Sequence, residues 1–215
     1  MKVVVIGSTG FVGSKIVNEL AIRNFEVLGI SREDQVSEFN NVSYLNLNVF
    51  DTDELIRNIE GYDVLVSAYS SGWSNPNMHE DFINGYKSIQ KAVTESKIKR
   101  YIVIGGAGSL YVSDAVQAVD TDEFPEDFKP VAMAAREYFN LLKTEKSLDW
   151  LYLCPAFEMH PGIDIGRTEK YRYGTMNPVY DENGRSSISV EDLAFAVVDE
   201  ISEKKYNQTM FTVGY

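Results

Sequence analysis

The stretch "VVVIGSTGFVGSKIV" occupies residues 3–17. It opens with four apolar residues, carries Gly7, Gly10 and Gly13 at equal spacing, and closes on an apolar-periodic run. A buried strand hands over to a helix here, across a turn that the glycines keep clear of side chains. Gly7 permits the tight turn, Gly10 lets backbone come close to a ligand, and Gly13 lets the helix pack on the strand. The first N–H groups of a helix lack intrahelical partners and sit at the positive end of its dipole, so such a turn can seat a pyrophosphate. Ser8 and Thr9 add hydroxyls, and Phe11 and Val12 begin the helix. A turn that only packs would use the same glycines; the setting separates the two readings, because a glycine motif carries meaning between a strand and a helix.

Outward from that turn the pattern repeats. Strand-like runs fall at residues 2–6, 26–30, 43–47, 63–67, 100–104, 150–153 and 210–213, most of them continuously apolar, as expected for strands buried on both faces of a parallel sheet. Between them the periodicity predicts helices over 11–23, 52–58, 78–97, 131–146 and 190–202, with Asp51 and Ser189 as N-caps for two of them. Strand and helix in alternation define an α/β fold, a single-domain Rossmann-type doubly wound parallel sheet over 1–215. Residues 110–130 and 155–187 lack clear periodicity; the latter, rich in Gly, Arg and Tyr, is expected to form a small irregular cap, 155–188, on the substrate side. Ligands of such sheets bind beyond the carboxyl ends of the strands, so the residues that follow each strand are the candidate site.

Composition narrows the function. With 32 acidic against 20 basic residues the net charge is −12, which argues against general nucleic-acid or anionic-membrane binding. The single cysteine, Cys154, allows no intrachain disulfide and fits a reducing compartment, and a buried inert thiol is expected. Only a short apolar run precedes Gly7 and no run is long enough to span a bilayer, so a cytoplasmic protein is expected, as a monomer or a homodimer. His79 and His160 lie far apart without cysteine partners, so no metal is expected.

The string "GSTGFVGSKIV" resembles the glycine motif of extended and atypical short-chain dehydrogenases. The resemblance continues through "GYDVLVSAYSSG", "KRYIVIGGAGSLYV", "FKPVAMAAREYFNLL", "LDWLYLCPAFEMHPG" and "DENGRSSISVEDLAFAVVDEI", and so covers essentially the whole chain. It is nearest to the atypical group related to biliverdin-IX-beta reductase and the NADH-flavin reductase type, with NmrA-like proteins more distant. The resemblance implies a nicotinamide cofactor. At the second strand tip, Arg32 matches the arginine of the family and suits the 2′-phosphate of NADP(H), favoured over NAD(H), although Glu33 lies at the distance where an NAD-type acid is expected. Asn48 and Val49 match the adenine flank, and Pro155, Ala156 and Phe157 the nicotinamide wall. By their place after strands four and five, Ala68, Tyr69 and Ser70 border the pyrophosphate and ribose, and Gly105 and Gly106 leave room for a nicotinamide.

Short-chain dehydrogenases pair a tyrosine acid with a lysine four residues later, the lysine lowering the tyrosine pKa. In "AMAAREYF" those positions hold Ala132 and Arg136; Tyr138 is out of register. Alanine transfers no proton, which disfavours alcohol or sugar chemistry and favours hydride transfer to a planar conjugated acceptor such as a flavin or quinone. Ser109 and Arg136 remain as candidate polar groups at the reaction site, either of which can equally serve the fold, and Trp73 and Arg167 as candidate acceptor contacts. Two other readings stay open: an NADP(H)-sensing regulator without turnover, and, more weakly, an epimerase or dehydratase.

Overall fold

A computed structural model describes every residue except Trp73. Among the described residues the chain forms an eight-stranded sheet flanked by five α-helices, plus a two-stranded hairpin apart from it. In chain order these are β1 (Lys2–Ile6), α1 (Phe11–Ile22), β2 (Glu26–Ser31), β3 (Val42–Asn46), α2 (Thr52–Ile59), β4 (Val64–Ser67), α3 (Met78–Glu95) and β5 (Arg100–Ile104). There follow the hairpin strands β6 (Tyr111–Ser113) and β7 (Val116–Gln117), then α4 (Lys129–Leu142), β8 (Asp149–Cys154), β9 (Arg172–Gly174), α5 (Val190–Glu203) and β10 (Thr209–Gly214). The sheet order is β3-β2-β1-β4-β5-β8-β10-β9, parallel throughout except for β9 against β10.

The doubly wound architecture agrees with the reading of the sequence. Strands β4 and β5 are buried at every position, because helices cover both faces of the sheet. One apolar layer joins α2, α3 and α4 to the sheet and the other joins α1 and α5. Expected boundaries shift at helix ends: Lys97, at φ 65°, lies in the left-handed region just beyond α3, and α4 begins at Lys129 with Pro130 in its first turn, where a missing N–H costs nothing. The hairpin and β9 had no signal in the apolar pattern, being only two or three residues long.

Asp51 makes no side-chain cap, contrary to expectation, whereas Ser189 Oγ accepts from the Asp192 N–H at 3.0 Å and donates to the Gly166 carbonyl at 2.7 Å. Ser189 Oγ also accepts from the Tyr215 hydroxyl at 2.9 Å; replacing Ser189 by alanine removes all three bonds, and an equilibrium denaturation curve is expected to show a loss of about 1–2 kcal/mol.

Segment 155–188 runs differently from a cap set wholly over the substrate. Its middle crosses α1 and α5: Arg167 bonds Glu19 at 2.8 Å, the Thr168 N–H bonds Asp192 at 2.8 Å, and the Tyr171 hydroxyl reaches Asp199 at 2.5 Å. Burial works against the Glu19 charge, but hydrogen bonds from Arg167 and Arg23 outweigh it and hold that carboxyl below its ordinary pKa. A second ionic knot ties the sheet to α5. The buried Arg100 guanidinium meets Asp149 and Glu200, both at 2.6 Å.

Candidate functional site

Two cavities open along the carboxyl edge of the parallel strands. The first, of about 290 Å³, lies over the tips of β1 to β4. Gly7, Thr9 and Gly10 line it from the opening turn, Arg32 from the tip of β2, Asn48 and Val49 from that of β3, and Ala68, Tyr69 and Ser70 from that of β4. These residues come from four separate stretches of chain, and the topology brings them into one groove.

The glycines have distinct duties here. Gly7 sits at φ +77°, and a Cβ on it would lie 2.4 Å from the Ala68 carbonyl oxygen. On Gly13 a Cβ would meet the Gly7 carbonyl oxygen at 2.1 Å, so its bareness is what lets α1 close on the turn. Gly10 has extended backbone, φ −75°, with only the Gly7 oxygen near its missing Cβ. Its bareness is needed by the groove rather than by the turn. Just beyond it the amides of Phe11 and Val12 have no acceptor among the described residues. Free helix-start amides, an open glycine and one guanidinium make a seat that fits an anionic dinucleotide.

Ser8 departs from its expected role. Its amide donates to the Ile30 carbonyl, and its buried hydroxyl lies beneath the turn, packed on Gly29 and away from the groove. The charged residues at the tip of β2 take different places. Arg32 lines the groove, while Asp34 accepts from Asn46 and Glu33 bonds Ser31 through its backbone.

Tyr86 fixes the relation between this groove and the next cavity. Its buried hydroxyl contacts the Tyr69 carbonyl at 3.1 Å and the Ile104 carbonyl at 3.3 Å, fastening the loop after β4 to the end of β5. Burial pushes the Tyr69 phenol up to about 12, and its hydroxyl donates to the Asp81 carbonyl, which ties the loop to α3. Ser88 does the same service for Val49, whose carbonyl accepts from it at 2.5 Å.

The second cavity, about 560 Å³, lies over β5 and β8. Gly106, Ala107 and Gly108 form its floor, with Phe124, Pro125, Phe128 and Val131 on one side and Phe157 on another. Ala132, at the position of the family tyrosine, lines it too, and a Cβ on Gly108 would come within 2.9 Å of its methyl. Gly105 lies under the Tyr152 ring, which would meet a Cβ at 2.2 Å. Pro155 and Ala156 are buried behind Phe157.

The remaining candidates divide. Ser109 is fully buried beside the chamber, and its hydroxyl, near the Tyr152 phenol, forms no well-shaped hydrogen bond. Arg136 does not face a ligand: both Asp120 oxygens accept from it at 2.6 Å. Arg167 is spent on Glu19 and Glu169 and lies over the Phe195 ring, on the α1–α5 side of the sheet, so it is no acceptor contact. Trp73 lies outside the described residues. Tyr138 is buried, stacked on Tyr86 and bonded to Gln90, as its register requires. Burial pushes the Cys154 thiol up, which makes it inert. Among the described residues no three His, Cys, Asp or Glu side chains converge on a metal site, and no helix is long and apolar enough to cross a membrane.

A Rossmann-type sheet with a glycine turn, and with alanine in place of the tyrosine acid, defines an atypical short-chain dehydrogenase-like protein. The comparisons agree: residues 7–204 match the model of the NAD(P)H-binding family, and the chain belongs to it. Uncharacterized protein YwnB of Bacillus subtilis is 32% identical over 99% of this chain and 98% of its own. Among solved structures, one from Bacteroides thetaiotaomicron described as a "putative epimerase" is 36% identical, with a TM-score of 0.91 over 100% of this chain and 96% of that one. Another, from Streptococcus pneumoniae and described as a "putative NADH-flavin reductase", is 29% identical, with a TM-score of 0.87 over 100% and 99%.

Proposed function

We propose that the protein is an NADPH-dependent reductase that passes hydride to a planar conjugated acceptor, a flavin or a quinone. The observation that carries this reading is Ala132: next along the strand edge from the groove over β1 to β4 lies an apolar chamber whose wall holds a methyl group where alcohol chemistry needs a phenol. When bound, the reduced dinucleotide supplies hydride, two electrons and one hydrogen nucleus. The chain's own residues do the rest. The amides of Phe11 and Val12 and the space at Gly10 receive the diphosphate, Tyr69 and Val49 are held in place by Tyr86 and Ser88, and the glycine floor at 106–108 lets two flat rings approach. Water at the open mouth provides the accompanying proton, which a conjugated acceptor takes after its ring has been reduced. The test is spectroscopic: protein with NADPH and a panel of flavins and quinones should consume the 340 nm absorbance. Tight NADPH binding without turnover on any of them would end the catalytic reading.

Arg32 supports NADP(H) over NAD(H), since among the groove-lining residues it supplies the cation. An Arg32→Ala variant is expected to bind NADPH about 10–30-fold more weakly by calorimetry, with NADH almost unchanged, the size of one charge-assisted phosphate contact. Equal loss for both dinucleotides would remove the assignment.

The same alanine favours one alternative, a sensor of the NADP(H) redox state without turnover. Its mark would be a different partner affinity or hydrogen-exchange pattern with the oxidised and the reduced dinucleotide.

A further inference from the structure

The chamber over β5 and β8 is unusual in its charge. Its walls are apolar, from Phe124, Phe128, Val131, Ala132 and Phe157, and among the described residues no lysine or arginine lines it. The segment that closes it, 110–128, carries Asp114, Asp120, Asp122, Glu123, Glu126 and Asp127 with no basic residue among them. Two of these are neutralised, Asp120 by Arg136 and Glu126 by Lys129. Glu123 lines the chamber itself, is solvent-exposed, and forms no ion pair among the described residues. Asp122 next to it is exposed and likewise without an ion pair among the described residues.

An apolar chamber of about 560 Å³ has room for a fused aromatic system, and its hydrophobic walls reward any such ring that leaves water. The rim does not treat all rings alike. A phosphate or carboxylate carried by the ring or its side chain comes up against Glu123, with Asp122 beside it in sequence, and neither carboxylate has an ion-pair partner among the described residues. From this juxtaposition we infer that the chamber is a charge filter: it accepts uncharged planar acceptors, such as a quinone or an unphosphorylated flavin, and rejects the same rings bearing a phosphate, with Glu123 as the specificity-determining residue. The inference rests on the reductase reading above, and it gives that reading an acceptor class.

Riboflavin and FMN make the discriminating pair, since they share one ring system and differ by a phosphate. Their binding to the full-length protein, alone and with NADP⁺ present, is read from quenching of flavin fluorescence and needs no turnover. At low ionic strength riboflavin is expected to bind about tenfold or more tightly than FMN, and about 0.5 M salt should close most of that gap by screening. Glu123→Gln should narrow the gap and Glu123→Lys should abolish or reverse it, the change falling mainly on FMN, the charged member of the pair. The side chain is exposed, so both variants should fold, and an unchanged melting temperature checks this. FMN binding as tightly as riboflavin at low salt, or a gap that ignores both substitutions, overturns the proposal, as does a failure of riboflavin to bind. If the binding gap stands and responds to Glu123 while no acceptor oxidises NADPH, the reductase reading falls and the filter survives.

Discussion

A Gly10→Val variant is expected to fold normally and to lose at least about a hundredfold in affinity for a nicotinamide dinucleotide, roughly 3 kcal/mol. Its backbone, φ −75° and ψ 171°, is a conformation that any residue adopts. A Cβ there approaches only the Gly7 carbonyl oxygen, at 3.2 Å, a contact that a few tenths of an ångström of movement relieves. Beyond the Cβ lies the groove, so the branched side chain stands where the diphosphate must come to reach the helix amides. Calorimetry reads the loss, and circular dichroism with an unchanged melt in the absence of ligand certifies the fold. The wild type should gain melting temperature with NADP(H) and the variant should not. Undiminished binding by a folded variant would mean that no anion sits at this turn. Gly13 offers no such experiment, because a side chain there would meet backbone and disturb the turn itself.

The other large effect concerns stability. Arg100→Ala should cost about 3–5 kcal/mol, the range for breaking a buried ion pair from one side. Arg100 bridges β8 through Asp149 and α5 through Glu200, and it also donates to the Tyr206 carbonyl at 2.8 Å. Burial already raises the Glu200 carboxyl above its ordinary value of 4.5, and one of its oxygens has no partner. Without the guanidinium that carboxyl rises further. A carboxyl whose folded pKa exceeds its unfolded one costs stability above that range and ceases to cost it once protonated. The deficit of the variant relative to wild type is therefore expected to shrink as pH falls from 7 toward 4.5, measured by urea denaturation at several pH values. A deficit that is constant with pH would show that lost packing and hydrogen bonds, rather than the stranded charge, dominate.

Much of this molecule is legible before any coordinates. Runs such as "VVVI" and "YIVI" have apolar residues at every position, and only a strand covered on both faces requires that. The groove followed from the same logic, since residues after parallel strands must meet at one edge; Arg32, Asn48 and Tyr69 do so. What failed were assignments that depend on pairing between distant side chains. Arg136 meets Asp120 and Arg167 meets Glu19 across 148 positions of sequence, and nothing local announces either partnership. Ser8 failed for a subtler reason: one residue of turn decides whether a hydroxyl points into a groove or beneath it. The chamber wall was missed because Phe124 and Phe128 lie in a stretch without helical or strand period. Two aromatics four residues apart around "PED", just before a proline-started helix, were the signal that was there to be read.

The hairpin β6–β7 pairs only with itself and contributes no rung to the central sheet. Leu110 and Val119 root the segment in the core, while the tip between β6 and β7 stands clear of the sheet. Changes at that tip can therefore reshape the chamber's outer wall without touching a strand of the frame.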